Sequence, residues 1–505
     1  MQIAKNHNLN IICLLAVGAA FLLGMNSVAA AQDSEITDTG IRDAIENEYL
    51  FDTAAPSDRI DLDVTNGIVT LTGKVGSLRA KKRAARIAET VKGVRSVINR
   101  IEVKPKTRPD SAIRRDVVGA LIVDPAADSY EVDVTVHAGE VTLTGTVESW
   151  QERMLAEKVA SGVSGVTKVT NEIDVEYEEA RTDDQIAADI RQVLRWDVMV
   201  DGALVDVNVN DGNVRLAGVV GSAAERRRAR YDAWVAGVES VDDSGLKVER
   251  WARDEDLRKN KYAIRSADKI KQAVKDALLY DPRVLSFNVT PEVAGSTVTL
   301  RGVVDNLKAK RAAAQVARRT VGVTSVTNRL KVRPVEDVPD DELVRSVRDA
   351  LRRNPYVEKY EITATAIDGT VYLSGRVDTY FEKSEADDAV SKVHGVVEVR
   401  NNLTVDTTRT PLVYDPYLYD PYPYDYDWYD YEPYYTYETD AEIKEDIESE
   451  MWWSPFVDSD QVNVAVNNGT ATLTGTVDTW SELESATENA YEGGAVWVNN
   501  ELAVE

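Results

Sequence analysis

Residues that could carry enzyme chemistry are scarce in this sequence. Among 505 residues there are one cysteine, Cys13, and three histidines. His137 stands at the end of a strand-like run and His394 directly precedes Gly395, so the two lie in distant segments. Catalysis requires an acid, a base or a nucleophile that converge in one cleft, and the abundant carboxylates show no paired spacing. The sequence therefore predicts no enzyme, no catalytic residue, no metal site and no cofactor.

Charged residues carry a stronger signal. Lys and Arg number 59 against 86 Asp and Glu, and the resulting net charge of −27 disfavours a constitutive nucleic-acid binder. Basic side chains nevertheless concentrate in three segments with helical patterning. The candidates for contact with anionic lipid headgroups are Lys81, Lys82, Arg83, Arg226, Arg227, Arg228, Lys308, Lys310, Arg311, Arg318 and Arg319. Because each basic residue near an anionic membrane contributes about 1 kcal/mol, these segments predict phospholipid binding.

The first thirty residues have the composition of a signal peptide. Lys5 supplies a positive charge, the run 11–23 is apolar, and small residues at 27–31 offer a cleavage site. The apolar run has thirteen residues, whereas a membrane span needs about 20. Removing residues 1–30 also removes Cys13, so the mature chain has no cysteine and depends on apolar cores. We predict export to the periplasm, with the outer membrane or the exterior as alternative destinations.

Internal repetition organises the rest of the chain. A turn glycine, a run of β-forming residues and a second glycine recur six times. The second glycines are Gly73, Gly145, Gly218, Gly302, Gly375 and Gly475. Eleven residues after each of them stands an alanine: Ala84, Ala156, Ala229, Ala313, Ala386 and Ala486. In five copies the pattern ends with an asparagine: Asn99, Asn171, Asn328, Asn401 and Asn500. The third copy has Asp243 at this position. These shared registers indicate six copies of one folding unit.

Each copy has the pattern helix, strand, strand, helix, strand. The first helix carries apolar residues at i, i+4 and i+8, such as Ile41, Ile45 and Tyr49, which predicts one buried stripe. An acid at its start, such as Asp38, is placed to accept free helix amides. The first strand alternates, as in 132–136, and an alanine-bearing second helix crosses over to a third strand parallel to the second. The predicted fold class is α+β, a tandem repeat of small α-β-β-α-β modules, each a three-stranded sheet with two helices on one face.

The motif Gly-x-Val-x-Leu-x-Gly-x-Val, followed by the alanine-bearing helix and by Gly-Val-x-x-Val-x-Asn, resembles the BON domain family. The third unit departs from it at Asp243, and the sixth has Gly494-Ala495 in place of Gly-Val. The resemblance implies exported α/β modules of periplasmic osmotic-stress proteins and outer-membrane-associated proteins, with phospholipid binding and envelope support as the family roles. The units, numbered one to six, are 36–105, 109–178, 181–250, 265–334, 337–405 and 440–505.

Two segments separate the units. Residues 251–264 are charged and are compatible with a short helix. Residues 406–439 hold 11 of the 22 tyrosines, five prolines and eight acids. Their repeated Tyr-Asp-Pro triplets rule out a helix and predict an extended, largely disordered spacer. An aromatic strip for a partner protein or glycan, or a weak calcium site, are the alternatives for this segment.

The units differ in charge, and this leaves two functions open. Unit four has 14 basic residues against 5 acids, whereas unit six has 15 acids and one base, Lys444. We predict a non-enzymatic cell-envelope protein that binds anionic phospholipid or envelope surfaces in osmotic-stress protection, with envelope proteins as further partners and no nucleic acid. The alternative is a periplasmic protein–protein scaffold or chaperone-like array in which basic unit four docks on acidic unit six or unit two. A solvated helix face also accounts for the basic segments.

Overall fold

The structure is a computed structural model, and it describes residues 36–52, 59–124, 132–177, 180–253, 261, 265–279, 281, 284, 288–335, 337–358, 360–405 and 439–504. The predicted signal peptide and the tyrosine-rich segment up to residue 438 therefore lie outside the described residues. Of the segment 251–264, the described part begins with a short 3₁₀ helix, Arg250–Arg253. The six units are called modules one to six below, and each has the predicted element order.

Each module contributes two α-helices. The first helices begin near a Thr, Pro or Ser cap and end before a short connection: Asp38–Phe51, Asp110–Val123, Asp183–Trp196, Ala267–Leu279, Asp340–Arg353 and Asp440–Trp453. The second helices follow the hairpin: Leu78–Glu89, Trp150–Ser161, Ala223–Asp232, Leu307–Arg318, Tyr380–Ser391 and Trp480–Glu492. Short 3₁₀ helices precede the first strand in modules three and six, at Gly202–Leu204 and Ser459–Gln461.

Three strands complete each module. The first strands are Ile60–Thr65, Val132–His137, Val205–Asn210, Val289–Ala294, Thr363–Ile367 and Val462–Asn467. The second strands are Ile68–Val75, Glu140–Val147, Asn213–Val220, Thr297–Val304, Thr370–Ser374 with Arg376–Val377, and Thr470–Val477. The third strands, four of them in two pieces, are Ser96–Asn99 with Glu102–Val103, Lys168–Val175, Ser240–Val248, Ser325–Asn328 with Lys331–Val332, Glu398–Asn401 with Thr404–Val405, and Trp497–Asn500 with Ala503–Val504.

The second strand lies at the centre of every sheet. It pairs antiparallel with the first strand through the hairpin and parallel with the third strand across the second helix. In module three the parallel ladder shifts register between Asp242 and Gly245. Both helices of a module pack on one face of its sheet, so the predicted α+β fold with two helices on one face is confirmed.

Module one shows how the repeated residues form the core. Ile45 of the first helix, Leu71 of the central strand and Ala84 of the second helix are completely buried together. The small alanine side chain lets the second helix approach the sheet closely. The hydroxyl of Tyr49, also buried, donates a hydrogen bond to the carbonyl oxygen of Ala84 at 2.8 Å, which joins the two helices.

The acid at the start of the first helix ties that helix to the hairpin. Asp38 accepts hydrogen bonds from the backbone amides of Asn66 at 2.7 Å and Gly67 at 2.9 Å. Thr37 caps the helix instead, by accepting from the amide of Gly40. The prediction that the acid accepts helix amides was therefore wrong, because the turn amides are closer. The same pairing recurs at Asp110, Asp183, Asp340 and Asp440.

The repeated asparagine anchors the second helix to the third strand. In module four the side-chain amide of Asn328 donates to the carbonyl oxygen of Lys310 at 2.7 Å, and its oxygen accepts from the amide of Leu330 at 3.1 Å. Asp243 cannot donate in this way, and it instead accepts from Arg226 Nε at 2.9 Å. The departure of module three from the asparagine pattern thus coincides with its shifted ladder.

The modules dock in three pairs that use one repeated contact. In each pair, a glycine follows the second helix of one module, and the residue before this glycine donates its backbone amide. The acceptor is the carbonyl oxygen of the last residue in the first helix of the partner module. These bonds run from Lys92 to Trp453 at 2.8 Å, from Ser164 to Arg353 at 3.0 Å, and from Val321 to Trp196 at 2.9 Å. Module one therefore pairs with module six, module two with module five, and module three with module four.

Candidate binding surfaces

The second helices of the six modules surround one central space of about 2550 Å³. Its lining includes Arg83 of module one, Met154 of module two, Arg227 of module three and Lys308 of module four. Acidic residues of modules five and six, such as Glu484, line it as well. The helices that carry the predicted lipid-binding residues thus line a space shared by all the modules.

Three of the predicted lipid-binding residues form ion pairs inside their own module. Arg83 pairs with Asp52, the residue after the first helix of module one. Arg228 pairs in the same way with Asp197 at 2.6 Å and also with Asp232 at 3.1 Å. Arg226 pairs with Asp243 at 2.9 Å. These contacts join the second helix to the first helix or to the third strand.

Six others form ion pairs between modules. The second helix of module four contacts acids of modules two, five and six, and the second helices of modules one and three contact acids of modules two and one. The pairs are Lys82 with Glu157, Arg227 with Glu89, Lys308 with Asp124, Arg311 with Asp387, and both Arg318 and Arg319 with Glu484. Basic module four is therefore in contact with acidic modules two and six of the same chain.

The last two, Lys81 and Lys310, are half-buried and occupy equivalent positions. Their backbone carbonyls accept from Asn99 and Asn328. No ion pair to either ammonium group is found in the part of the chain that the structure describes. Nine of the eleven predicted residues thus line one central space, and Lys81 and Arg226 do not. The structure does not test whether any of them binds lipid.

Local electrostatics explain why these side chains need acidic partners. Burial, followed by repulsion from Arg86 and Arg228, lowers the pKa of Arg227 to about 10. For Arg228, burial also opposes the charged form, but the carboxylates of Asp197 and Asp232 overcome it and raise the pKa above its ordinary value. A cluster of guanidinium groups at this depth is stable only with carboxylates beside it.

A second basic surface, which sequence reasoning missed, lies on the outer side of module four. We call it the module-four edge, and it consists of Arg301, Arg329, Lys331 and Arg333. All four are exposed. Arg301 lies in the second strand of this module, and the other three lie in or next to the second piece of its third strand. Arg301 pairs with Glu292 at 2.7 Å. Among the described residues no ion pair to the other three occurs.

Apolar side chains accompany this charge. Val303 is 38% exposed and sits beside Lys331 in the parallel ladder, while Val335 is 81% exposed. The equivalent third-strand positions of module two are acidic: Glu172, Asp174 and Glu176. The spacing of Arg329, Lys331 and Arg333 at every second residue was the sequence signal for a basic strand face, because alternate residues of a strand share one side.

The two histidines occupy separate modules. His137 is exposed at the end of the first strand of module two, and His394 is half-buried before Gly395 in module five. The described residues contain no group of three or more His, Cys, Asp or Glu side chains placed to hold a metal ion. Within the described ranges, no helix combines the length and the apolar composition that crossing a bilayer requires.

Comparison with known proteins gives the same module six times. The BON domain model matches residues 37–105, 109–177, 182–250, 266–334, 339–407 and 439–505. The Osmotically-inducible protein Y of Escherichia coli (strain K12) is 33% identical over 193 residues, which are 36% of this chain and 94% of that protein. The outer membrane lipoprotein DolP of Haemophilus influenzae is 33% identical over 163 residues, 30% of this chain and 84% of that protein.

Among solved structures, CdsD, a structural protein of the type III secretion system of Chlamydia trachomatis, aligns with 45% of this chain and 94% of its own chain. The sequence identity is 14% and the TM-score is 0.13, a value too low to establish a shared overall fold.

Proposed function

We propose, from the premise that this chain belongs to the BON domain family, that it is a non-enzymatic cell-envelope protein that binds anionic phospholipid surfaces. The relatives that support this are named as an osmotically inducible protein and an outer membrane lipoprotein, and the chain aligns with 94% and 84% of their lengths. Export through residues 1–30, a periplasmic location and a role in osmotic-stress protection belong to the same proposal.

The module-four edge is the observation that carries the lipid proposal. Arg329, Lys331 and Arg333 are exposed along one strand, and Val303 and Val335 offer apolar contact beside them. At about 1 kcal/mol per basic residue, the three unpaired charges supply about 3 kcal/mol. This corresponds to millimolar or weaker binding, so the interaction is reversible and depends on salt. The basic second helices contribute little to the free energy of lipid binding while their charges are paired with acids.

Vesicle co-sedimentation of the mature chain tests this proposal. We expect binding to anionic vesicles at millimolar lipid and low salt, none to neutral vesicles, and a decline at moderate salt. The variant R329Q/K331Q/R333Q should lose this binding. Its matched control, R42Q/R345Q/R352Q, removes three exposed positive charges from the first helices and should keep most of it. Equal losses in the two variants would show a response to net charge alone and would contradict the proposed surface.

The predicted lipid site on the second helix of module four is tested by the same assay. Changing Lys308, Lys310, Arg311, Arg318 and Arg319 to Gln removes ion pairs to modules two, five and six. If these residues bind lipid directly, the variant loses vesicle binding while its modules stay docked. If they serve docking, as the contacts favour, the variant undocks and the module-four edge still binds.

The ion pairs between modules favour a second function, that of a scaffold. Lys308 contacts Asp124 of module two at 2.6 Å, and Arg318 lies 3.8 Å from Glu484 of module six. Charge complementarity of this kind can also hold envelope proteins, because it orients partners of opposite charge. Indifference to every lipid, together with salt-sensitive binding of acidic proteins, would favour the scaffold over the lipid proposal.

A further inference from the structure

The contact between modules one and six differs in chemistry from the other two docked pairs. Its backbone bond runs from the Lys92 amide to the Trp453 carbonyl, and the side chain of Lys92 donates to the Trp452 carbonyl. The Trp453 ring covers Gly40 so closely that an added Cβ there would lie 3.1 Å from it. Trp453 also packs against the core of module one, so the first helices of the two modules share an interface.

Two glutamates occupy equivalent positions in that interface. Glu48 follows Asp38 by ten residues, and Glu450 follows Asp440 by ten residues, so each lies near the end of its first helix. The corresponding residues of the other pairs are small or apolar: Ala120 and Ala350 in modules two and five, and Val193 and Ala277 in modules three and four. Only the pair formed by modules one and six places carboxyl groups at this position.

Both glutamates are buried without adequate partners. Glu48 is 3% exposed and Glu450 is 5% exposed. The Oε2 atom of each has no hydrogen-bond partner among the described residues. An ionised carboxylate is costly in such a place, whereas a protonated carboxyl group is tolerated.

The groups around the two glutamates are mostly acidic. Glu48 interacts with Glu492, Glu450 and Asp52, and Arg83 is the cation that opposes them. Arg83 is already paired with Asp52. Glu450 interacts with Glu492 and with a further acid, Asp446. Glu492 interacts with Asp52, with Arg83 and with one more acid, Glu488. One shared arginine cannot neutralise this number of carboxylates.

We propose that the docking of module one on module six is a proton-dependent closure of the chain, formed when Glu48 and Glu450 hold protons and weakened when they ionise. Modules two and five, and modules three and four, carry small or apolar residues at the same position, so their docking does not depend on these two protons. The chain therefore opens at its first and last modules, and its other pairs persist.

The direction of the pH effect follows from the carboxyl groups. Burial, followed by the charge of Glu492, raises the pKa of Glu450 to about 9. Burial and Glu488 raise the pKa of Glu492 to about 7, and burial and Glu492 raise the pKa of Glu48 well above its usual 4.5. Raised values mean that the docked state holds more protons, so docking is strongest near pH 4.5 and is lost as pH rises through 7 towards 9.

Lys92 lies in the same interface and titrates in the opposite sense. Burial, followed by repulsion from Arg250, lowers the pKa of Lys92 to about 8. Its ammonium group is therefore charged through most of the range from pH 5 to pH 8, and it changes docking little there. That range isolates the effect of the glutamates.

Amide hydrogen exchange of the mature wild-type chain tests the proposal, because the three docking bonds are equivalent amides in one molecule. Between pH 5 and pH 8, after correction for intrinsic exchange, protection of the Lys92 amide should fall by at least about tenfold, since each pKa unit that docking adds is worth a factor of ten. Protection of the Ser164 and Val321 amides, which lie in pairs that lack these two glutamates, should fall less and serves as the internal comparison. Equal behaviour of the three amides would overturn the proposal.

A variant pair identifies the responsible groups. E48Q/E450Q replaces the two carboxyl groups by neutral amides, leaves Glu492 in place, and should keep most of the Lys92 protection at pH 8. The matched control E46Q/E448Q changes exposed glutamates two residues earlier on the same helices, and it should keep the wild-type pH response. A pH response of wild-type size in E48Q/E450Q, or its disappearance in the control, would assign the effect to other groups and overturn the proposal. The wild-type titration stands whether or not either variant folds.

Discussion

Among the ion pairs that join modules in the described part of the chain, the pair between Lys308 and Asp124 is the most deeply buried. Its removal makes a strong prediction. The two side chains are 11% and 3% exposed and lie 2.6 Å apart. Lys308→Met keeps the length of the side chain but takes the ammonium group away from a buried carboxylate. Breaking such a pair costs about 3–5 kcal/mol, and we expect that cost to appear as weaker docking of module four on module two.

A cost of this size lowers the docking equilibrium by roughly 10²- to 10⁴-fold. Spin labels on a chain of residues 31–505 can measure it, because this part of the sequence has no cysteine. With T135C in module two and T290C in module four, both exposed positions, pulsed EPR should give one narrow distance distribution for the parent chain. K308M should broaden that distribution towards longer distances.

Two comparisons complete this experiment. K308M/D124N removes both charges, leaves no carboxylate at position 124, and should recover most of the narrow distance distribution. K310M changes a neighbouring half-buried lysine that has no ion pair within the described residues, and should leave the distribution unchanged. If K308M behaves like K310M, or if the double variant is as open as K308M, the pair does not hold these modules together and the reasoning is refuted.

Two smaller predictions concern the modules themselves. N328A removes two hydrogen bonds and leaves the buried Leu330 amide unsatisfied, which costs about 1–3 kcal/mol of stability. Hydrogen exchange of the Leu330 amide should accelerate at least tenfold in N328A and should not change in T327A, a variant at an exposed position. Unchanged exchange in N328A would contradict the anchoring role. Hydrogen bonds from the amides of Gly139 and Ala138 lower the pKa of Asp110, so the contribution of Asp110 to the stability of module two is lost as pH falls below about 4, where the carboxylate gains its proton. D110N should reduce this acid sensitivity in a melting experiment, and an unchanged acid sensitivity would contradict the assignment.

The fold was accessible from the sequence because its determinants are local and repeated. Ala84 and its equivalents mark the second helix, and the turn glycines mark the hairpins, so six copies of one register identified the module. The role of Asp38 was misread, because the turn amides of Asn66 and Gly67 that it binds lie about thirty residues further along the chain. Only the folded hairpin brings those amides to the start of the helix.

The candidate binding surfaces were predicted less completely. Charge runs on the second helices were found, but their acidic partners lie in other modules, as Asp124 does for Lys308, and no local pattern reveals such partners. The sequence offered docking of module four on modules two and six as an alternative, and the ion pairs now provide its contacts. The alternation of Arg329, Lys331 and Arg333 was visible in the sequence, yet it gains meaning only once that strand face is known to be exposed.

The most direct test of the proposed function is equilibrium binding of the mature wild-type chain to anionic and neutral vesicles at low salt, where charge screening is weakest. The module-four edge predicts binding in the millimolar range to anionic vesicles alone, with a loss of about 10²-fold in R329Q/K331Q/R333Q. The absence of binding to anionic vesicles at low salt, or equal binding to neutral ones, would contradict the account.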